Sequence, residues 1–500
     1  MSNTKQHNKY LDSIVNELKN FPQSNSEILN LIQSKKNVYN RFKREFIKNI
    51  NNIKSKNLKA FALLVATNFK DNDFLNTITQ NFNFDLINND LAIFAKGIYF
   101  LSKNDNLKAV NLLWQSFNLN KHLYFNHQTF LTLICLFEDF KLSKERHILL
   151  QYLISTFPYV IEYHMQYILF LMQVKFNDDF TLTLAESNAI ILREIDYIYN
   201  HAQTSFDWSF LADFYFKFVG DVDKFWECSK NAILTLNITN NDNNFSVTKE
   251  ENFHPEIYRE VLDLLLDFLD NNNIKAFPCS GTLLGLYRDG KLMDYDKDAD
   301  IGIIVNNNDD IINVIKVISA SDKFSCNKIS ELDLTKKVLN IGVNHKEKGA
   351  ATDIFFFHKN YYDYDKSHPK YNYLYTGIDT ISASRIVEFK PFKVTKKNLA
   401  GHIYNVPENI EEWLLQEYGK DWNKHISVWD SLINAPNVTE QSKLAVFYFG
   451  SIRMHEAFRQ KKYAKALNYY TQLKNRWNYP FTAEMCQKIE LCLEQIKPVS

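Results

Sequence analysis

The sequence predicts an α+β protein in which a mixed-sheet core is flanked by α-helical regions on both sides, and three observations carry that reading. Residues 1–235 hold few Gly or Pro. Their apolar residues recur at three- and four-residue spacings, as in Phe61-Leu63-Leu64-Ala66 and Ile148-Leu149-Leu150-Tyr152-Leu153, which is the period of a helix with one buried face. After Asn273 short strand-like runs alternate with helices, the texture of an α/β layer. From 440 onward the pattern is helical again. The expected organisation is an all-helical domain over 1–240, a mixed-sheet domain over 250–435 and a C-terminal helical region over 440–500.

Bulk properties bound the function. A chain of 500 residues exceeds one ordinary core and suggests two or three domains. Aromatics make up 15% of it and hydrophobic residues 45%, which supports large cores rather than disorder. Lys+Arg and Asp+Glu both number 58, so no global field draws the protein to nucleic acid or to an anionic membrane. No nucleic-acid partner is expected, and any basic site is local. Cys135, Cys228, Cys279, Cys326, Cys486 and Cys492 form no C-x-x-C pair and fit neither a zinc knuckle nor a disulfide framework. The polar N-terminus shows no apolar leader. The most apolar stretch, Tyr167 to Met172, is far shorter than the roughly 20 residues that span a bilayer. A reducing, cytoplasmic setting without a transmembrane segment is the expectation.

In chain order, Gly97 and Ala109 stand twelve apart within a helix–turn–helix pattern from Ala95 to Leu113. This is the spacing of one tetratricopeptide-like unit, and Tyr463 to Tyr470 offers another; a plain helical bundle with coincidental small residues is the other reading. Thr239 to Asn244 is polar and reads as a linker. A long amphipathic helix follows, with Pro255 at its start and Ile257, Val261, Leu262, Leu264, Leu265, Phe268 and Leu269 on its apolar side. Lys275 to Cys279 is a short strand, Thr282 to Tyr287 a helix opening on Ser280-Gly281, Ala299 to Val305 a strand and Asp309 to Ala320 a helix. Lys337 to Val343 and Thr352 to Phe357 are two more strands.

The chemistry concentrates between 280 and 355. Ser280-Gly281 lies between a strand and a helix, where glycine allows close approach of a phosphate and the helix start offers free N–H groups. Asp296, Asp298 and Asp300 follow at alternating positions. Strand geometry puts i and i+2 on one face, so Asp298 and Asp300 project together, anchored by Ile301, Ile303, Ile304 and Val305. Carboxylates this close repel, and a divalent cation such as Mg²⁺ removes the conflict with hard oxygen ligands shared with substrate phosphates. Asp353 heads the apolar run Ile354 to Phe357, where a buried acid needs a partner. If the two strands are neighbours, Asp353 completes a three-carboxylate site as metal ligand or general base. The order of strand, Ser-Gly, helix, D-x-D strand and later Asp strand is the general pattern of the nucleotidyltransferase superfold.

The stretch 280–303 also resembles the signature of the LicD/fukutin family of phosphotransferases, a G-[TS]-L-L-G-x-x-R block followed by W-D-x-D-x-D-[IL]. Here it reads Gly281-Thr282-Leu283-Leu284-Gly285-Leu286-Tyr287-Arg288, then Tyr295-Asp296-Lys297-Asp298-Ala299-Asp300-Ile301. The family's later D-I-F strand resembles Asp353-Ile354-Phe355. Its C-terminal block resembles Val406-Pro407-Glu408-Asn409 through Leu414-Leu415 to Tyr418-Gly419-Lys420-Asp421-Trp422. Tyr295 stands where the family usually has Trp, and Asp294 where Pro often precedes it. The resemblance covers roughly 255–430 and implies Mg²⁺- or Mn²⁺-dependent transfer of an alcohol phosphate, such as phosphocholine or ribitol phosphate, from a CDP-activated donor to a sugar hydroxyl of a glycan. It assigns Asp298 and Asp300 to metal, Asp296 as a lesser ligand, and Asp353 as third ligand or base. Ser280, Gly281 and Thr282 are assigned to donor phosphate, with Arg288 on a phosphate or in a structural ion pair. The family setting implies decoration of bacterial cell-surface polysaccharide or lipopolysaccharide.

Two further readings stand beside it. One keeps the superfold but transfers a nucleotidyl group from a nucleoside triphosphate to a small molecule or protein. The other makes the helical regions a repeat-type scaffold for a protein or polymer, with the α/β block inactive. The tyrosine-dense segments Tyr361 to Asp365 and Tyr371 to Tyr375 are expected either to stack on a ligand ring or to form a surface loop. His358 and His368 flank the first of them. Cys279 is expected to be a small core residue.

Overall fold

A computed structural model describes residues 36–87, 89–120, 124–173, 182–237, 255–293, 299–327, 336–359 and 361–494, together with residues 11, 14 and 18. The 239–244 segment, Asp296 and Asp298 lie outside the described residues. The architecture is α+β. The chain divides into two compact units, Met1–Ile198 and Tyr199–Ser500.

The first unit is helical, with α1 (Lys36–Lys48), α2 (Lys56–Asn68), α3 (Asn72–Asn81), α4 (Asp90–Ser102), α5 (Asn106–Asn120), α6 (His127–Asp139), α7 (Ser143–Thr156), α8 (Ile161–Gln173) and most of α9 (Leu184–His201). Side-chain oxygens of Ser55, Asp71, Asn89 and Asn126 accept from backbone N–H groups at the starts of α2, α3, α4 and α6, which supplies partners that the first turn lacks. The α4–α5 hairpin closes tightly because Gly97 faces Leu113; a Cβ at Gly97 would stand 2.8 Å from Leu113 Cδ2.

The second unit carries α10 (Ser205–Phe214), α11 (Val222–Leu234), α12 (Pro255–Asn271), the strands, α13 (Ser280–Leu284), α14 (Asn308–Ser319), α15 (Ile410–Tyr418), α16 (Ser431–Asn434), α17 (Lys443–Arg459), α18 (Tyr463–Asn475) and α19 (Ala483–Glu494). Its strands are β1 (Ala276–Pro278), β2 (Ala299–Val305), β3 (Phe324–Cys326), β4 (Asn340–His345), β5 (Ala351–Lys359), β6 (Leu374–Asp379), β7 (Ser384–Phe389), β8 (Val394–Leu399) and β9 (His402–Pro407). Seven of them form one mixed sheet in the order β1-β2-β5-β4-β3, with β6 on the far end of β5 and β7 beside β6; β8 and β9 form a separate hairpin. Only β2 and β5 run parallel.

One continuous core runs from Ile233 on α11, through the sheet, to Cys492 on α19. A smaller one joins Leu339, Tyr375 and Ile386, with Tyr361, Tyr362, Tyr364 and Tyr373 packed against it. The tyrosine-dense segment is thus a loop between β5 and β6, as one of the two readings expected, with its tyrosines packed on this satellite core. β6 to β9 are strands that the sequence pattern did not reveal.

Candidate active site

The site grows from the register of β2 and β5. Asp300 pairs directly with Asp353 across these parallel neighbours. Paired residues on adjacent strands share a face and lie roughly 4.8 Å apart along the hydrogen-bonding direction, so the two carboxylates stand side by side. The Asp300 backbone is pinned twice: its N–H donates to Thr282 Oγ1 at 2.8 Å, and its carbonyl accepts from the Cys279 N–H at 3.0 Å. On the other flank Asp353 faces Gly342 of β4. A Cβ there would come within 3.2 Å of Asn327 Nδ2 and 3.5 Å of Asp353 Oδ1, so the absence of a side chain lets the Asn327 amide approach that side of the strand.

Both acids line a cavity of about 430 Å³. Its floor is the sheet face that carries them. Alternate residues enter it, namely Asp353, Phe355 and Phe357 from β5 and Arg385, Val387 and Phe389 from β7, as the two-residue period requires. Ser280 and Gly281 at the start of α13 form one edge. Glu417 and Tyr418 of α15, with Asp421, Trp422, Lys424 and Trp429 beyond it, form a wall that adjoins this edge. Trp413 holds α15 against the floor by stacking on Phe389, with ring centroids 4.7 Å apart. Asp430, Ser431, Leu432 and Arg453 close the remainder.

Each described residue singled out in the sequence has a place. Ser280 lies in the left-handed region at φ +46°, a conformation that costs a non-glycine residue on the order of 1–3 kcal/mol and persists where surroundings enforce it. Gly281 lines the cavity beside it. Thr282 does not: it is buried, and its hydroxyl is taken by the Asp300 backbone, so it links helix to strand. Arg288 reaches the cavity as the ion-pair alternative. Its Nε and Nη2 donate to the Asp289 carboxylate at 2.9 and 2.8 Å, and Nη1 donates to the carbonyls of Trp422 and Lys424. The pairing with Arg288 holds the Asp289 carboxyl below its usual range. Asp300 and Asp353 are brought together. His358 is buried with Nε2 2.7 Å from the Val338 carbonyl, and burial lowers its basicity. His368 stacks on Tyr364. Burial pushes the Cys279 thiol well up, which makes it an inert core residue. None of the six cysteines, all of them among the described residues, forms a disulfide.

Two side chains in the cavity wall went unnoticed in the sequence. Glu417 is 6% exposed, and its Oε2 is buried with no hydrogen-bond partner among the described residues. Burial pushes its carboxyl up to about 7, against the opposing pull of the Ser280 side chain and the Arg385 charge. Arg385 is equally buried; its Nε donates to the Leu432 carbonyl at 3.0 Å and its Nη2 to that of Ser431. Burial lowers its guanidinium to about 10. A signal for Glu417 existed. Ile410, Trp413, Leu414 and Glu417 occupy i, i+3, i+4 and i+7 of α15, all buried, so an acid stands in the apolar stripe where acids are almost never found.

The donor chemistry fits a hard divalent cation. Asp300 and Asp353 offer oxygen ligands at one register position on the cavity floor. Among the described residues no group of three or more His, Cys, Asp or Glu stands ready to hold a metal, and the further acids Asp296 and Asp298 fall within 294–298, outside them. No helix among the described residues is long and apolar enough to cross a membrane.

Comparison with known proteins finds a family model that matches the same segment. Residues 273–409 match the family model for the LicD/FKTN/FKRP nucleotidyltransferase domain. The chain is similar to ribitol-5-phosphate transferase FKTN of Macaca fascicularis and of Homo sapiens, 26% identical over 187 residues in each case, and to that of Mus musculus, 26% identical over 188 residues. The similarity covers 36% of this chain and 36% of each relative.

Proposed function

We propose that this chain, whose residues 273–409 carry a LicD/FKTN/FKRP-type nucleotidyltransferase domain, transfers an alcohol phosphate such as ribitol phosphate or phosphocholine from a CDP-activated donor to a sugar hydroxyl of a glycan. The observation that carries the reading is the direct pairing of Asp300 with Asp353 on the cavity floor inside that segment. Paired acids on the floor of a cavity suit a reaction in which diphosphate charge must be held while a hydroxyl attacks in line.

The chain's own residues divide that work. Asp300 and Asp353 would hold Mg²⁺ or Mn²⁺, with Asp298 and, to a lesser extent, Asp296 joining them from 294–298. When bound, such an ion neutralises the carboxylates and screens phosphate charge. Ser280 and Gly281 bind the donor phosphate at the cavity edge. Asp353 has a second role open to it, since a carboxylate beside the acceptor takes up the hydroxyl proton. The wall from Glu417 to Trp429 excludes water.

The test is product analysis with Mg²⁺ and a CDP-alcohol. CMP release with transfer to a glycan acceptor supports the proposal, and pyrophosphate release from a nucleoside triphosphate would replace it with nucleotidyl transfer. Asp300→Asn and Asp353→Asn are each expected to lower activity roughly 10³-fold or more. Full activity in both would defeat the reading.

A further inference from the structure

A diphosphate donor needs cations where its charge lies, since fixed positive groups aimed at phosphoryl oxygens carry much of the stabilisation in such transfers. Four described cations line the cavity: Arg288, Arg385, Lys424 and Arg453. Two are committed. Arg288 is held by the Asp289 carboxylate in a two-pronged pair and by two carbonyls. Arg385 is buried against the carbonyls of Ser431 and Leu432 beside Glu417. Releasing either strands a buried charge.

The other two are free enough to meet a ligand, and they differ. Lys424 lies in a loop and is paired with Asp421 at 2.7 Å. Arg453 projects from α17, a helix of 17 residues packed into the core. Its contact with Glu456 is loose, Nη1 to Oε2 at 3.9 Å with both side chains partly exposed, and pairs of that kind hold little energy. A guanidinium offers a planar fork that grips phosphate through two N–H groups, where an ammonium is a point charge. A cation on a rigid helix is also better placed than one on a loop.

We propose that Arg453, 44 residues beyond the end of the family match, binds the diphosphate of the donor. The assignment rests on the transferase reading above. It moves the arginine contact to phosphate from Arg288 to Arg453, and it makes the C-terminal helices part of the active site. Glu456 is exchanged for the ligand, while Arg288 keeps its role in pinning the loop at 422–424 to the turn after α13.

The experiment titrates the full chain, with Mg²⁺ present, against CDP, cytidine and pyrophosphate by calorimetry, in the wild type and in Arg453→Met, Arg453→Lys and Lys424→Met. Arg453→Met is expected to weaken CDP and pyrophosphate about ten- to a hundredfold, the scale of a charge-assisted hydrogen bond, and to leave cytidine unchanged. Arg453→Lys should fall between. An unliganded melting temperature equal to wild type shows that the variant is folded, as expected for a half-exposed side chain. Unchanged CDP and pyrophosphate affinity in Arg453→Met overturns the assignment, as does a loss seen in Lys424→Met alone. Wild-type protein that binds pyrophosphate but no cytidine nucleotide refutes the CDP-donor reading, and the Arg453 assignment is then decided on pyrophosphate. Wild-type protein that binds neither overturns both.

Discussion

Glu417 shows what a single buried acid does to this molecule. Its folded-state acidity lies near 7 because of burial, against 4.5 for a free glutamate. The folded protein therefore holds a proton that the unfolded chain has released between those values, and stability falls as pH rises from about 4.5 to about 7. Above 7 the folded state bears a buried charge. Glu417→Gln keeps the shape and removes the titration. It is expected to melt close to wild type at pH 5 and to be more stable by on the order of 2 kcal/mol at pH 8, measured by thermal denaturation at both values. Equal effects at both would show that Glu417 does not titrate in this range. At the same scale, Asp300 and Asp353 were legible in the sequence because alternation and an apolar strand expose a misplaced acid. Arg385 was not, because its partners are main-chain carbonyls 46 and 47 residues away, and no local pattern encodes such a contact.

Elements constrain the site through backbone approach. At Gly377 on β6 a Cβ would stand 1.9 Å from the Arg385 carbonyl oxygen and 2.9 Å from its carbon. Both are main chain and cannot swing aside. At Gly450 on α17 a Cβ would meet Leu473 Cδ2 at 2.6 Å, the far end of a side chain. Gly377→Ala is thus expected to cost more than about 3 kcal/mol and Gly450→Ala about 1–3 kcal/mol, ranked by chemical denaturation. The reverse order would refute the geometry of the β6–β7 pair. Most elements of the second unit were readable: β2 runs from Ala299 to Val305 and α12 begins at Pro255, both as expected. β8 escaped because its middle residues, Thr395 to Asn398, are all exposed and carry no apolar alternation. β6 escaped because Tyr375 and Gly377, beside the tyrosines that precede them, read as loop.

For the whole molecule, the stretch matched by the family model ends at residue 409, but the cavity does not. Ser431 and Leu432 reach it from a stretch gripped on both sides. Arg385 of the sheet binds the carbonyls of Ser431 and Leu432, while Arg476 and Trp477, in the turn between α18 and α19, bind those of Ile433, Asn434 and Ala435. Since one core joins sheet and C-terminal helices, these are expected to unfold together. Hydrogen exchange in rising urea should show the amides of β2, β5 and α17 losing protection at one midpoint. A separate, earlier transition for α17 would mean that the cavity opens without loss of the sheet. The helical character of 440–494 was legible, but its share in the cavity was not, because a contact between distant segments leaves no periodic trace.

The pairing of Asp300 with Asp353 also makes their alignment a counted quantity. Strands slide in whole residues, and one step turns every side chain of β5 to the opposite face. Such a slip would bury Asp353 and expose Phe356. A slip of one residue therefore does not merely misalign the two acids but puts them on opposite faces. Evolution of this centre can exchange the residues that surround the pair, but it cannot nudge the pair itself.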